Sequence, residues 1–295
     1  MSDDAQPFSV GALDCWALSD GQFNYPSEAF FANASPEALA EASDRPEVSA
    51  GQVTTPYTCL YLETGTEQIL VDAGAGPVGT HAADIFPDVD HTTTSTGHLR
   101  ENLRAIGTAP SSIDTVILTH AHPDHVGGLL DEDGTLVFGS AQYVISTTEW
   151  QFWFSETAAE EAPSPMVEVA RRNLGAIDER VHLIEPETEI RPGIRARAAP
   201  GHTPGHMALS ITSDGDQFLH MADLVLHPLL MAHPGWVTGF DLAPEQAAQS
   251  RRRLLDRVAA RGIPVLGYHF PPFPGLGHVE DRDTGWAWTP LEAAP

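Results

Sequence analysis

Residues 119–128 read Thr-His-Ala-His-Pro-Asp-His-Val-Gly-Gly, placing four candidate metal ligands (His120, His122, Asp124 and His125) within six positions. On a helix, neighbours on one face are three or four residues apart; on a strand they are two apart. This set obeys neither spacing throughout. It suits a turn leaving a strand, where side chains fan around a point. The preceding Ile113–Thr119 segment is β-branched and apolar, as a buried strand should be. Gly127 and Gly128 permit close backbone approach, and Val126, Leu129 and Leu130 can open a helix.

Three later segments repeat the pattern of a polar residue ending an apolar strand. Ala199–His206 puts His202 in a Gly/Pro-rich turn, Asp223 follows Met221-Ala222, and His269 follows Gly267-Tyr268. His120, His122 and His202 can hold one ion, Asp124, His125 and His269 a second, and Asp223 can bridge them. Nitrogen and oxygen donors without thiolate suit two divalent ions, with Zn2+ favoured and Mn, Fe or Co compatible. A water shared by two such ions has its pKa lowered from about 15.7 toward about 7, which makes hydroxide at neutral pH without a separate base. Asp124 and Asp223 are the expected catalytic carboxylates: Asp223 as the bridge, Asp124 as a proton shuttle to the leaving group.

The rest of the chain supplies a frame. Val10–Leu18, Thr58–Glu63 and Glu67–Val71 read as strands, the last two joined by the turn at Glu63–Glu67. Residues 22–56 read as a long loop insertion containing a short helix, Pro36–Ala42, capped by Ser35. Helices are expected at Leu99–Ile106, at Pro165–Leu174 (capped by Ser164 and stopped at Gly175) and at Pro244–Arg261. Strands are expected at Gln142–Ser146, Ile194–Ala198, His206–Thr212, Gln217–Met221 and Ile263–Gly267. The segment Glu149–Phe154 carries three aromatics, for core packing or for covering a site. No linker divides the chain, so one domain over 1–295 is expected, with two sheets between outer helices.

Composition excludes several partners. There are 41 acidic residues against 15 basic ones, all Arg, for a formal charge of −26. Such a chain does not bind nucleic acid through a broad surface, nor an anionic membrane. No apolar run reaches the roughly 18–20 residues of a membrane span. The acids are spread along the chain rather than blocked into a tail, which fits a halophile-like surface whose self-repulsion salt relieves. Unfolding midpoints are then expected to rise in molar KCl; a midpoint unchanged by salt contradicts this. The acidic MSDDAQPF start does not read as a signal peptide, and Cys15 and Cys59 read as two free thiols, so a cytoplasmic location is expected.

With these residues in hand, the chain resembles the metallo-β-lactamase superfamily over roughly residues 8–280. The H-x-H-x-D-H run at His120–His125 matches its defining motif, His202, Asp223 and His269 its remaining ligands in order, and Asp72 in Val-Asp-Ala-Gly its upstream aspartate. The resemblance implies a four-layer αβ/βα sandwich of two mixed sheets flanked by helices, with a dinuclear site at their edge. It implies that Asp72 orients a ligand or loop and that His206 supports the site. Asp223–Trp236 and Gly267–Val279 look like hydrolases of the methyl parathion hydrolase and quorum-quenching lactonase type. The implied activity is metal-dependent hydrolysis, by a metal-bridging hydroxide, of a small ester, lactone or phosphotriester. A homodimer is compatible with this reading. Some lactonases use a tyrosine near the bridging aspartate; here Leu224, Val225, Leu226 and His227 stand there, so another residue must supply that role. The alternatives are a glutathione thioesterase-like hydrolase, which usually needs a cationic helical extension that this chain lacks, and a non-catalytic metal-stabilised binding module. Among the other histidines, His81, His91 and His98 read as surface, His182 and His220 as sheet or packing positions, and His227, His233 and His278 as candidates to face a pocket.

Overall fold

The computed structural model describes residues 4–43, 48, 51–77 and 90–291. His81 lies outside them. The first sheet is built from β1 (Ala5–Val10), β2 (Leu13–Pro26), β3 (Gln52–Glu63), β4 (Gln68–Val71), β5 (Ser95–Thr96), β6 (Thr115–Ile117), β7 (Gln142–Ser146) and β8 (Val181–Ile184). Its order is β1-β2-β3-β4-β6-β7-β8, with β5 on β2; the early strands are antiparallel, and β4, β6, β7 and β8 run parallel. The second sheet is β9 (Glu189–Arg191), β10 (Ile194–Ala198), β11 (Met207–Ser213), β12 (Asp216–Ala222), β13 (Val265–Gly267), β14 (Leu276–Arg282) and β15 (Gly285–Pro290), in reverse spatial order. These are the two mixed sheets of an αβ/βα sandwich.

Period-two alternation decides which residues meet between the sheets. Leu60 and Leu62 of β3, Ile69 and Val71 of β4, and Ile117 of β6 form one apolar cluster with Leu209 and Ile211 of β11 and Leu266 of β13. Their neighbours Cys59, Tyr61, Leu70, Val116 and Ala208 belong to the larger core on the outer faces. Helices cover those faces: α1 (Ser27–Phe30), α2 (Pro36–Ala42), α3 (Leu99–Ala105), α4 (Pro123–Val126), α5 (Thr147–Trp153), α6 (Glu156–Glu161), α7 (Ser164–Ala176), α8 (Pro228–Ala232) and α9 (Pro244–Arg261). On α9, Ala247, Leu254, Leu255 and Val258 are buried as one stripe. At the far edge, Arg191 grips Glu67 with two bonds of 2.7 Å and Thr115 with one of 2.8 Å, tying the second sheet to the first. Cys15 and Cys59 are free thiols, buried on opposite faces of the first sheet.

Several boundaries differ from the expected ones. The 22–56 excursion is shorter, because β2 runs on to Pro26 and β3 begins at Gln52, the two pairing along their whole length. Helix Pro36–Ala42 forms as expected, with the Ser35 side chain accepting from Ala38 N–H. Ile113–Thr119 contributes only three strand residues, since Thr119 is turned out of the ladder to bond a side chain. No long helix opens at Val126; α4 is one turn, followed by a 3-10 turn over Gly127–Leu129. Helix α7 passes through Gly175, and Ser164 does not cap it but bonds Glu168. No described helix is long and apolar enough to cross a membrane.

Candidate metal centre

The sandwich brings the ends of β4, β6, β12 and β13 to one edge. Asp72 follows β4, the His120–His125 turn follows β6, Asp223 follows β12 and His269 follows β13 by two residues. Two of these exits use left-handed backbone: Asp72 at φ 61° and Ala222 at φ 48°. A non-glycine residue rarely adopts this conformation, and it costs of order 1 kcal/mol or more. Here it turns the Asp72 carboxylate under the histidine turn and re-aims Asp223 out of the strand. The histidine turn is held down by close backbone approach. A Cβ on Gly128 would lie 2.0 Å from the Ala73 carbonyl oxygen, so only glycine lets Gly128 N–H reach the Gly74 carbonyl at 3.0 Å.

The seven expected ligands come together as two groups that share Asp223. In the first, His120 Nε2 and His122 Nδ1 are 3.1 Å apart, and His202 Nε2 is 2.9 Å from the same His122 nitrogen. Asp223 Oδ2 is 3.2 Å from His202 Nε2 and 3.8 Å from His120 Nε2. In the second, His269 Nε2 is 3.2 Å from Asp124 Oδ2 and 3.3 Å from Asp223 Oδ2, while His125 Nε2 is 3.2 Å from Asp223 Oδ1. Asp124 is the only one of the seven that is not classed as buried.

These separations fit metal ions. Donors placed 2.0–2.1 Å from a tetrahedral zinc lie about 3.3 Å from one another. Three imidazole nitrogens facing one another cannot all be satisfied by the protons they carry. His125 Nε2 and Asp223 Oδ1 are buried without a directed hydrogen bond. Charge divides accordingly. Burial, with neighbouring imidazoles adding to it, holds His120 and His122 well below the ordinary histidine range. Burial also disfavours charge on His202 and His269, but Asp223 and their other carboxylate partners outweigh it and push both up to about 9. Burial would raise Asp223; His125 and His269 reverse this and hold its carboxyl well below the usual range.

The outward ring nitrogens of His125, His202 and His269 have oriented partners, the kind of support that holds a histidine ring for a metal. His125 Nδ1 lies 2.8 Å from Asp72 Oδ2, and Asp72 also accepts the Thr119 N–H and hydroxyl, each at 2.8 Å. His202 Nδ1 lies 3.0 Å from Asp241 Oδ1, with the buried Arg251 guanidinium 3.6 Å from the other oxygen. His269 Nδ1 is 3.3 Å from the Pro56 carbonyl oxygen. His206 sits underneath: its Nδ1 is 3.0 Å from the Ala199 carbonyl oxygen, and its Nε2 accepts the Asp223 N–H at 3.1 Å.

Asp241, Arg251 and Glu149 were not expected here. Asp241 lies in an ordinary polar turn before a proline-started helix, and nothing local marks its reach to His202. The pocket candidates divide. His227 packs against Phe31 and accepts the Leu229 N–H, His233 stacks on Trp236, and His278 lies half-buried on β14. His91 and His98 lie near the surface, and His182 is exposed on β8; His220 is wholly buried in β12. Phe270 is buried against Trp288, and Trp150 packs at a tilt on Phe154. Tyr57 and Phe30 stand edge-on to His269. Tyr25 shares a 2.5 Å hydroxyl contact with Tyr57 and packs on Phe30 and Phe240.

Comparison with known proteins agrees with this geometry. The Metallo-beta-lactamase superfamily profile matches residues 54–268. An N-acyl homoserine lactonase of Bacillus thuringiensis is 27% identical over 218 residues, covering 72% of this chain and 79% of that protein. A Bacillus cereus N-acyl homoserine lactonase is 27% identical over 165 residues, 54% of this chain and 59% of its own length, so that match spans under two thirds of the relative. Among solved structures, the dizinc quorum-quenching lactonase AidC superposes with a TM-score of 0.85 at 26% identity over the full length of both chains. The hydrolase AbOPH superposes at 0.84 with 24% identity, again over both full lengths, a likeness of fold. Profile, fold and the strand-end cluster of histidines and aspartates agree: the chain belongs to the metallo-β-lactamase superfamily.

Proposed function

We propose that this protein is a dinuclear zinc hydrolase that opens small lactones, with N-acyl homoserine lactones as the substrate class. The observation that carries the reading is the pair of donor groups sharing Asp223. His120, His122, His202 and Asp223 would hold one ion, and Asp124, His125, His269 and Asp223 the other. When bound, the two ions supply Lewis acidity and an activated water.

The chain's own residues do the rest. Asp72 and Asp241 fix the rings of His125 and His202, so the site is organised before substrate arrives. Asp124 lies on the less buried rim with Oδ2 facing His269, placed to pass a proton to the leaving alcohol. Lactone opening consumes one water, breaks the ring C–O bond and yields a carboxylate, an alcohol and one proton. Beside His269, Tyr57, Phe30, Tyr25 and Phe240 form an apolar wall suited to an acyl chain. Two tyrosines stand beside the cluster, neither of them directly after Asp223: Tyr57 is edge-on to His269, and Tyr268 stacks on His125 with centroids 4.0 Å apart. Among the described residues, the one deeply buried arginine near the site, Arg251, is engaged with Asp241 and the Leu224 carbonyl. This favours a neutral substrate over an anionic glutathione thioester. The lactonase relatives support the lactone class in particular.

The test is a panel of N-hexanoyl homoserine lactone, an aryl ester, an aryl phosphotriester, a cephalosporin and a glutathione thioester, assayed with zinc present. The lactone is expected to give the highest kcat/KM, by about 10²-fold or more over the cephalosporin and thioester. A phosphotriester ranking first, or two bound metals with no turnover on any member, contradicts the reading.

A further inference from the structure

Glu149 belongs to none of the roles above, yet it is wholly buried and fully engaged. It lies in α5, packed against the metal-binding edge. Its Oε1 accepts the Ala121 N–H at 3.0 Å and the Trp153 indole N–H at 2.6 Å. Its Oε2 accepts the Thr203 hydroxyl at 2.6 Å and the Gly205 N–H at 3.0 Å. Those donors are not scattered. Ala121 lies between His120 and His122, Thr203 directly follows His202, and the Trp153 ring stands edge-on to His122 with centroids 5.8 Å apart. Gly205 is where the His202 turn presses onto α5: a Cβ there would lie 2.2 Å from the Glu149 nitrogen.

We infer that Glu149 is a positioning residue for the three-histidine half of the metal centre. Resting on the ligand reading above, it makes one carboxylate the common anchor of two loops 80 residues apart in sequence, whose histidine nitrogens meet at 2.9 Å. Four donors converge on two oxygens, so an acceptor-only carboxylate fits where an amide does not. A glutamine would turn its NH2 toward a backbone N–H on one side. The Asp124–His125–His269 half is anchored separately, through Asp72 and Pro56. Loss of Glu149 therefore loosens one ion and spares the other, which a general packing role would not do.

The experiment is zinc affinity by chelator competition on the full-length protein, with Glu149→Gln placed in two backgrounds. Asp124→Ala leaves the three-histidine group intact, and His122→Ala leaves the other. In the first background Glu149→Gln is expected to weaken the remaining zinc about 10–100-fold, the usual effect of losing a ligand's support. In the second the change is expected to stay below about 2-fold. Should Glu149→Gln not fold, Thr203→Val removes a single 2.6 Å bond and is expected to give the same asymmetry at smaller size. Unchanged affinity in the first background, or equal losses in both, overturns the proposal. A wild-type protein that takes up no zinc overturns the ligand reading itself, and this proposal with it.

Discussion

Asp223→Ala is expected to lower lactone turnover by more than about 10³-fold and to leave the protein with less than two zinc ions per chain. The size follows from position. Asp223 is the one side chain in both donor groups, with Oδ1 beside His125 and Oδ2 beside His202 and His269. A residue that only supports a ligand costs about 10–100-fold when removed; a shared ligand must cost more. The same substitution removes the anion that offsets charge on three buried imidazoles, so the metal-free protein also loses stability. Asp223→Asn keeps the shape and the left-handed approach through Ala222, and separates loss of charge from loss of packing. Metal content by elemental analysis and turnover by pH-stat check both variants. Two zinc ions with undiminished turnover in Asp223→Ala would remove the bridge from the account.

The second large effect is on folding. Asp72→Ala is expected to destabilise the metal-free protein by about 3–5 kcal/mol, the range for breaking a buried, hydrogen-bonded charge contact. Three donors lose their acceptor at once: the Thr119 N–H, the Thr119 hydroxyl and His125 Nδ1. The alanine would also hold φ 61° without the short polar side chain that makes aspartate tolerable there. Asp72→Asn keeps that tolerance and one acceptor, and is expected to fall between the two. Urea unfolding in the presence of chelator measures this apart from metal binding. A loss under about 1 kcal/mol would show that Thr119 and His125 find other partners.

These residues also show what was legible before the fold was known. The ligand run, the strand-end aspartates and the hairpin turns are local signals, because each rests on residues adjacent in the chain. His120–His125 can only be a turn, and Asp72, Asp223 and His269 each end an apolar run. Fine boundaries were harder, since tertiary partners set them. Thr119 leaves its strand because Asp72 competes for it. β2 extends to Pro26 because β3 offers it a full-length partner. Gly175 stays helical although its composition reads as a stop. The supporting residues were invisible for a related reason. Asp241 reaches His202 across 39 positions, and Glu149 reaches Thr203 across 54. Neither has a neighbour in sequence that announces its partner.

The central claim is that two ions, held by seven side chains in two groups with Asp223 common to both, would make this chain a hydrolase of lactones. Its most direct test is to strip the protein with chelator, return zinc in measured equivalents and follow N-hexanoyl homoserine lactone opening by pH-stat. Activity absent without metal, rising to a plateau at two zinc ions per chain, is the predicted result. Full activity in the stripped protein, or no lactone opening at any zinc ratio, would contradict it.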